Sequence, residues 1–468
     1  MIQLKDVGEN VKRFGKYFER SKARFCDFSV GVKYMWREDF VISYAFFNDT
    51  LIMRESCADY KNAFYFPFAE NADDENAALK EIEDYCASRK EELKFCCIDD
   101  ETAEKLKKRY PFCEISFNRD WSDYIYNASD FTSFAGKRFS GQRNHVNAFK
   151  RSYPDYKFCV LTEEDIPRVK EFLKEYERET VISVWSEKEE EKKVAEFAEK
   201  SFELNQSGAF IEVNGKIVAL SIGEVVGDTL IVHVEKGLKE YRGVYPAMAS
   251  EFAKAFCKDG VKFINREEDC GDPGLRISKT QYHPIEIKNK YIVQISTAFD
   301  KIVPPVSIKT ERLTVDDITE KDKEVYARIY LDDDLNKYYG YDYREDLGGN
   351  TPNADYFYSF MQGLKEKKEE YSFAVRRNGE MLGELVLYNF GFNGQAETGF
   401  RFLPEYQGKG YATEAAAALI EKAKTDFCIN KLCCRAFKEN LPSIRLIKRL
   451  GFKQASETDN MLFFEKNL

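Results

Sequence analysis

In the stretch LPEYQGKGYATEAAAALIEKAK, residues 403–424, two glycines and a lysine precede an alanine-rich run. Apolar residues at helical spacing predict a helix that begins near Tyr411, directly after the loop. The first N–H groups of a helix lack intrahelical partners, the helix dipole adds partial positive charge there, and glycines let a ligand approach the backbone. The six residues Gln407–Ala412 fit the pattern Q-x-x-G-x-A, which predicts a phosphate site. The alternative is a tight strand-to-helix turn that binds no ligand.

Composition limits the other kinds of site. The 468-residue chain has a net charge of −10, which argues against general electrostatic binding of nucleic acid. Twelve cysteines occur without a CxxC pair and only three histidines are present, so no metal site is predicted. The N-terminal residues lack a signal-peptide pattern and no apolar run reaches membrane-spanning length. These features predict reduced thiols in a soluble, cytoplasmic protein without integral membrane contact.

The elements around the glycine loop form a recurring order. Strand patterns at 371–376 and 381–388 flank Asn378-Gly379, a hairpin signal, and a third strand pattern at 396–402 leads into the loop. Residues 208–256 repeat this order around Asn214-Gly215, and a fainter copy lies near the start of the chain. A repeat of this length predicts three related α/β (α+β) domains, each a mixed, mostly antiparallel sheet flanked by helices. The predicted domains are residues 1–157, 158–304 and 305–468.

The loop itself differs between the copies. In the middle copy Tyr245 replaces the second glycine and Pro246 removes a backbone donor, and the first copy has no glycine in its loop. Only the last copy is therefore predicted to retain the phosphate site.

Residues 305–468 resemble the Gcn5-related N-acetyltransferase (GNAT) family through Q-x-x-G-x-A, the surrounding element order, Asn440-x-x-Ser443 and Gly451-Phe452. The resemblance implies that the loop holds the pyrophosphate of acetyl-coenzyme A and that a neutral primary amine attacks the thioester. The implied cofactor-binding residues are Phe400, Arg401 and Phe402, by their backbone, and Gln407, Gly408, Lys409, Gly410, Tyr411, Ala412 and Thr413.

The same resemblance implies three catalytic candidates. Glu397 occupies the position of a general base, which must help an amine with a pKa of ~10.4 lose its proton. Asn440 and Ser443 match residues that contact coenzyme A or its sulfur. The alternatives are a solvated strand residue for Glu397 and helix N-caps for the other two. Many relatives carry a tyrosine acid where this chain has Ile447, so the identity of the acid stays open.

Residues 1–300 resemble the C-terminal catalytic region of phosphatidylglycerol lysyltransferases, which is a tandem of two GNAT-like lobes related to aminoacyl-transfer-RNA-dependent transferases. The membrane-spanning half of the lipid enzymes is absent from this sequence. The residues that carry the resemblance are Asp123–Tyr126, Gly136–Arg138, Gln142–His145, His233–Lys236, Asn265–Asp269, Gly271, Gly274–Arg276, Lys279, Tyr282 and Pro284.

The tandem offers polar candidates whose role is open. The segment 136–151 carries five Lys or Arg and no acid, which fits either a patch for transfer-RNA phosphate or an anionic lipid headgroup, or a solvated linker helix. His233 and Glu235 alternate on a predicted strand and could both face one cleft. The remaining charged residues fit either an aminoacyl site or a structural ion network. The substrate candidates of the tandem are Arg143, His233, Glu235, Asp269, Asp272, Arg276 and Lys279.

The sequence therefore predicts N-acetyl transfer from acetyl-coenzyme A to a primary amine of a small molecule or a protein N-terminus. Aminoacyl-transfer-RNA-dependent transfer by residues 1–300 is the alternative enzyme reading. A third alternative is that the tandem binds substrate without catalysis.

Overall fold

The computed structural model describes residues 2–8, 11–179, 185–339, 342–345 and 347–468. Contacts divide the chain into two compact units, residues 1–105 with 114–294, and residues 106–113 with 295–468. In the described residues, no helix is both long enough and apolar enough to cross a membrane.

The first unit contains two sheets. Its elements up to residue 152 are β1 (Lys5–Asp6), α1 (Gly15–Phe18), α2 (Val30–Met35), β2 (Val41–Phe47), β3 (Thr50–Ser56), β4 (Ala63–Phe64), α3 (Ala72–Arg89), β5 (Leu93–Ile98), α4 (Asp100–Arg109), β6 (Cys113–Phe117), β7 (Asp123–Asn127), α5 (Ala128–Ser133) and α6 (Ser140–Ser152). The elements that follow are β8 (Lys157–Val160), α7 (Ile166–Glu179), α8 (Trp185–Lys200), β9 (Ser207–Val213), β10 (Lys216–Val226), β11 (Thr229–Gly237), α9 (Val244–Phe256), β12 (Phe263–Asn265), α10 (Pro273–Thr280), β13 (Glu286–Lys288) and β14 (Tyr291–Ile295).

These two sheets exchange strands. Within the described residues the first sheet has the order β1-β2-β3-β4-β5-β14-β6, and the second has the order β13-β7-β12-β11-β10-β9-β8. The chain therefore passes from the first sheet into the second at β7, and it returns to the first sheet at β14. The boundary predicted near residue 157 does not separate the two sheets. β7 precedes this boundary but belongs to the second sheet, and β14 follows it but belongs to the first. Strand pairing depends on contacts between residues far apart in sequence, which a division into consecutive segments does not capture.

The second unit contains the third sheet. Its elements are β15 (Ser307–Lys309), β16 (Thr314–Asp317), α11 (Lys323–Leu331), α12 (Asp333–Asn336), α13 (Ala354–Glu366), β17 (Glu370–Arg377), β18 (Glu380–Tyr388), β19 (Gln395–Phe402), α14 (Tyr411–Thr425), β20 (Lys431–Phe437), α15 (Leu441–Arg449), β21 (Lys453–Glu457) and β22 (Met461–Asn467). Its order in the described residues is β15-β16-β17-β18-β19-β20-β22-β21. The prediction of three mixed sheets flanked by helices is confirmed.

Local turn chemistry sets the hairpins. Asn378 and Gly379 have φ values of 54° and 87° between β17 and β18, and Asn214 and Gly215 have φ values of 51° and 81° between β9 and β10. Asn and Gly tolerate positive φ, which gives the turn the twist of its flanking strands. The two predicted Asn-Gly hairpins are confirmed.

The β19 and β20 strands diverge from each other. Their parallel pairing covers only Gln395–Glu397 against Lys431–Cys433, although β19 continues to Phe402 and β20 to Phe437. Each strand keeps its other neighbour, β18 for the first and β22 for the second. A gap therefore opens between them after Glu397, next to the loop that leads to α14. We call it the strand gap.

The two faces of the third sheet differ in chemistry. One face carries the apolar residues that pack under α14, including Phe373, Leu385, Leu432 and Ala415 of the helix. Register places Glu384 opposite Arg401 on the other face, which is buried under α11 and α13. Polar groups on this second face adjoin the strand gap.

Candidate active site at the strand gap

The N-terminus of α14 has the geometry predicted for an anion site. Gly410 is the N-cap with φ 83° and no side-chain cap, and the first intrahelical bond is donated by Glu414 to Gly410 at 3.1 Å. The N–H groups of Tyr411, Ala412 and Thr413 therefore precede the hydrogen-bonded part of the helix. Gly408 has φ 71°, and no atom lies within 4 Å of the position that a Cβ would take there. These residues leave room for a diphosphate against free donors.

Side chains fix the shape of this loop. The Gln407 amide donates to the carbonyl of Phe402 at 2.8 Å, and Lys409 Nζ donates to the carbonyl of Glu405 at 2.8 Å. Gln407 therefore ties the loop back to the end of β19. Because Lys409 is held by a backbone carbonyl, its role here is partly structural, while its ammonium still adds positive charge to the loop.

Two arginines that the sequence analysis did not single out flank the same helix. Arg312 donates to the carbonyl of Lys409 at 3.2 Å and is paired with Glu414 at 2.7 Å. Arg377 donates to the hydroxyl of Tyr411 at 2.6 Å. The two guanidinium groups concentrate positive charge beside α14, which favours an anionic ligand.

The equivalent position in the second lobe is filled by protein. Gly243 is the N-cap of α9 with φ 89°, but the position of its Cβ lies 2.3 Å from the backbone oxygen of His145 in α6. The helix α6 thus covers the N-terminus of α9. Gly243, and not Tyr245, therefore stands where Gly410 stands in the last copy, so the predicted replacement of that glycine is wrong. That the second lobe has no phosphate site stays a prediction, which the packing of α6 supports.

The predicted strand residues Phe400, Arg401 and Phe402 lie along the strand gap. Phe402 is buried and Phe400 packs against the same apolar cluster under α14. The Arg401 side chain points to the other face and is buried with Glu384. The backbone of this segment is bonded to β18 on one side and has no pairing with β20 on the other.

Glu397 lies at the last pair before the strand gap. Its carboxylate accepts from Asn389 Nδ2 at 3.1 Å, and Arg435 Nε of β20 lies 3.8 Å away. Tyr388 lies directly opposite on β18. Burial and the charge of the Glu397 carboxylate raise the pKa of Tyr388, so the phenol stays protonated at neutral pH.

Asn440 and Ser443 form a helix cap. Asn440 is the N-cap of α15 and its Oδ1 accepts from the backbone N–H of Ser443 at 3.3 Å. The cap is the arrangement named as the alternative for Asn440, and contact of either residue with coenzyme A stays a prediction. Ile447 is buried in the apolar cluster and offers no proton.

A buried polar cluster beside the gap was missed by sequence reasoning. Arg401 Nε donates to Glu384 at 2.5 Å, and Arg401 Nη1 donates to Asn336 Oδ1 at 2.7 Å. The guanidinium lies between the rings of Tyr330 and Tyr339, with distances to the ring centroids of 4.1 Å and 3.9 Å. The signals available in the sequence were Glu384 within the apolar run of β18 and the alternation of Gln395, Glu397 and Arg401 along β19.

In the tandem lobes, His233 and Glu235 lie in ion pairs. The His233 ring is buried, with Nε2 3.0 Å from Glu224 and Nδ1 2.7 Å from Glu267. Burial lowers the pKa of His233, but hydrogen bonds to Glu224 and Glu267 outweigh this effect and raise the pKa to about 9. Glu235 is paired with Arg266 at 2.7 Å. Carboxylates from β10 and from the segment after β12 therefore enclose the His233 ring, and a substrate role for His233 and Glu235 stays a prediction.

The acidic block after β12 is largely an internal network. The buried Asp269 accepts from Arg276 and Tyr124, at 2.8 and 2.6 Å, and Asp272 caps α10 by accepting from the N–H of Leu275 at 2.6 Å. These bonds overcome the effect of burial and hold the pKa of Asp269 below its usual range. Lys279 Nζ donates to the carbonyl of Arg266 at 2.6 Å. Four predicted substrate residues thus have structural partners.

A buried lysine connects the two lobes. Lys290 Nζ lies 2.5 Å from Asp27, 2.8 Å from Asp123 and in contact with Glu268. Cys26 Sγ, Asp27 and Glu268 lie close enough together to hold a metal, but the lysine ammonium is already among them, 3.3 Å from the sulfur. Burial raises the pKa of Asp123 to about 7, against the attraction of Lys290.

The basic segment 136–151 is partly neutralised. Arg143 donates to the carbonyls of Phe134 and Gly136, Arg138 pairs with Asp130 at 2.8 Å and Lys150 pairs with Glu251 at 3.2 Å. These partners favour the structural alternative for the segment. Binding of transfer-RNA or lipid phosphate there stays a prediction.

Two family models match the chain. Residues 18–294, more than half of the chain, match the model described as "Phosphatidylglycerol lysyltransferase, C-terminal", and residues 312–453 match the model described as "Acetyltransferase (GNAT) domain". Both resemblances drawn from the sequence are thereby confirmed.

Individual proteins are similar to parts of the chain. The uncharacterized N-acetyltransferase YnaD of Bacillus subtilis is 28% identical over 149 residues, which are 31% of this chain and 82% of that protein. The spermidine N(1)-acetyltransferase of Escherichia coli is 36% identical over 98 residues, 20% of this chain and 52% of that protein. A crystal structure of a conserved protein of unknown function from Bacteroides thetaiotaomicron is similar with a TM-score of 0.59 and 27% identity, over 63% of this chain and all of that chain.

Proposed function

The chain belongs to the phosphatidylglycerol lysyltransferase C-terminal family and carries a GNAT acetyltransferase domain at residues 312–453, and from this premise we propose that residues 305–468 transfer an acetyl group from acetyl-coenzyme A to a primary amine. The protein is an acyltransferase of the GNAT type. The proposed acceptor is an amine of a small molecule or of a protein N-terminus.

The geometry that carries the proposal is the open N-terminus of α14 beside the strand gap. Gln407–Thr413 would hold the pyrophosphate through the free N–H groups of the helix, and Arg312 and Arg377 add positive charge. The strand gap begins at the same end of β19, so an extended chain that starts at the pyrophosphate can enter it. Bound acetyl-coenzyme A supplies an acetyl group activated as a thioester.

Different groups around the strand gap serve different steps of the proposed reaction. Glu397 accepts the proton that the attacking amine must lose, directly or through one water. Backbone N–H groups of β19 between Phe400 and Phe402 polarise the carbonyl group of the thioester. This stabilisation is strongest where water is excluded. The bond from Asn389 Nδ2 orients the Glu397 carboxylate before substrate arrives.

Cofactor binding is tested by adding a carboxylate to the loop. Asp tolerates positive φ, so Gly408→Asp places a negative charge beside the bound diphosphate without a forbidden backbone. Two phosphate charges at roughly 8 Å oppose it by about 1 to 4 kcal/mol over effective dielectric constants of about 80 to 20. We expect acetyl-coenzyme A to bind at least about fivefold more weakly by calorimetry.

The matched control is Gly215→Asp in the hairpin of the second lobe. Gly215 also has positive φ and open space at its Cβ position. We expect its affinity for acetyl-coenzyme A to equal that of the wild type. No binding by the wild type at millimolar cofactor, or equal binding by Gly408→Asp, would contradict the proposal. Acetyl transfer is then followed as free thiol released with a panel of amines that includes spermidine and an N-terminal peptide.

Family membership favours a second activity for the tandem. Residues 18–294 would then transfer an aminoacyl group from aminoacyl-transfer-RNA, with an anionic lipid headgroup or another amine as acceptor. The test is consumption of lysyl-transfer-RNA by the full chain and by a Gly408→Asp variant, which should consume it equally. Specific ligand binding without consumption would instead support a non-catalytic substrate-binding module.

A further inference from the structure

The hydroxyl of Tyr339 lies at the start of the strand gap. Its oxygen is 3.5 Å from the position that a Cβ would take on Gly399. Gly399 belongs to β19 two residues after Glu397, where pairing with β20 ends. A glycine at this position leaves the space above the strand open, so the phenol reaches the backbone that adjoins the gap.

The Tyr339 ring is held by the buried cluster. It stacks on the guanidinium of Arg401, which is fixed by Glu384 and by Asn336. Asn336 Nδ2 in turn donates to three backbone carbonyls at the end of α11. The position of the hydroxyl is therefore set by packing and by a chain of buried hydrogen bonds.

The neighbouring residue contacts the other side of the gap. The ring of Tyr338 lies 6.1 Å from the ring of Phe437 at the end of β20, and its hydroxyl lies 3.5 Å from Glu439. Tyr338 thus touches the β20 side while Tyr339 touches the β19 side. The end of the α12 segment spans the strand gap.

The Tyr339 hydroxyl keeps its proton at neutral pH. Burial raises its pKa, so it is protonated at neutral pH, and among the described residues none hydrogen-bonds to it. The position where the family often carries a tyrosine acid is the buried Ile447. The side chain at this position of α15 therefore cannot donate a proton.

We propose that Tyr339 is the catalytic acid of this domain and that its O–H protonates the sulfur that leaves the acetyl group. This inference rests on the proposed function. As the amine nitrogen bonds to the carbonyl carbon, the carbon–sulfur bond breaks and its electron pair goes to sulfur, which takes the Tyr339 proton. Glu397 takes the proton from nitrogen. Before the next turnover Glu397 releases this proton to solvent and the tyrosinate regains one from solvent. The products are the amide and the free thiol.

The test compares Tyr339→Phe with Tyr326→Phe. Tyr326 is a buried tyrosine of α11 whose hydroxyl bonds only to Tyr330 in the described residues, at 3.1 Å. Both variants lose one hydroxyl and keep the ring. We expect Tyr339→Phe to lower kcat by about 100-fold with the amine found in the panel, since general acids contribute about that much or more. Its affinity for acetyl-coenzyme A should stay within twofold of wild type by calorimetry, and Tyr326→Phe should keep the wild-type kcat.

A second variant tests the same position from the strand side. Gly399→Ala puts a methyl group in van der Waals contact with the Tyr339 hydroxyl, at 3.5 Å, and close to Val386 Cγ2, at 3.1 Å, so it narrows the space beside the hydroxyl. We expect kcat to fall with affinity for acetyl-coenzyme A retained. A Tyr339→Phe variant that binds the cofactor and keeps kcat within threefold would overturn the assignment of Tyr339 alone. A wild type that binds no cofactor or transfers no acetyl group would overturn the proposed function and this inference with it.

Discussion

The pairing of His233 with two carboxylates makes the stability of the first unit depend on pH. The folded-state pKa of about 9 lies above the ordinary value near 6.5. The unfolding free energy from this group is fully present below pH 6.5 and is lost as the pH rises through 9. The difference corresponds to about 3 kcal/mol, because each pKa unit is worth about 1.36 kcal/mol.

The assay is chemical denaturation from pH 6 to pH 10 for the wild type and for His233→Gln. At pH 6.5 we expect the variant to be less stable by about 3 kcal/mol, because Glu224 and Glu267 lose the buried cation between them. The gap should close toward pH 10, where the wild-type imidazole is neutral. Comparing the two proteins at each pH removes the contributions of other groups that titrate in this range, such as Asp123.

A local readout strengthens this test. The Glu224 carboxylate also accepts from the backbone N–H groups of Val30 and Gly31 in the first turn of α2, the latter at 2.6 Å. Hydrogen exchange at these two amides should accelerate in His233→Gln. The exposed His283→Gln serves as the matched control and should behave as wild type. The reasoning is refuted if His233→Gln keeps the wild-type pH dependence or if His283→Gln loses it.

Two further predictions concern single buried or capping groups. Lys290→Met leaves Asp27, Asp123 and Glu268 without their shared cation and should lower the unfolding free energy by about 3 to 5 kcal/mol in chemical denaturation, while Lys258→Met at an exposed site should have little effect. Asn440→Ala should cost about 1 kcal/mol through the lost cap of α15, and Asn440→Asp should restore this stability. Restored thermal stability combined with weakened binding of acetyl-coenzyme A in Asn440→Asp would show that the residue contacts the cofactor as well.

Features that depend on neighbours in sequence were predictable. The Asn378-Gly379 turn and the start of α14 at Tyr411 follow from backbone preferences of a few adjacent residues, and both are where the sequence placed them. The replacement of the loop glycine by Tyr245 was predicted wrongly, because the N-cap of α9 is Gly243. What distinguishes the second lobe at this position is a contact outside the loop, since α6 lies over the N-terminus of α9.

Features that depend on distant residues were not predictable in the same way. The partners of His233 come from β10 and from the segment after β12, and no pattern in one sequence assigns Glu224 and Glu267 to it. Tyr339 was missed because it follows a short helix, and only the fold brings it to Gly399. Spacing identified which residue types could do chemistry, whereas their partners depended on tertiary contacts.

The return of β14 to the first sheet has a consequence for synthesis on the ribosome. In the described sheet β6 has β14 as its neighbour, yet the two strands are separated by the entire second lobe. At about 5 to 20 residues per second, β6 waits roughly 10 to 35 seconds before its partner is translated. During that time the nascent chain exposes an open strand edge, so we expect the first lobe to acquire its native sheet only after residue 295 has left the exit tunnel.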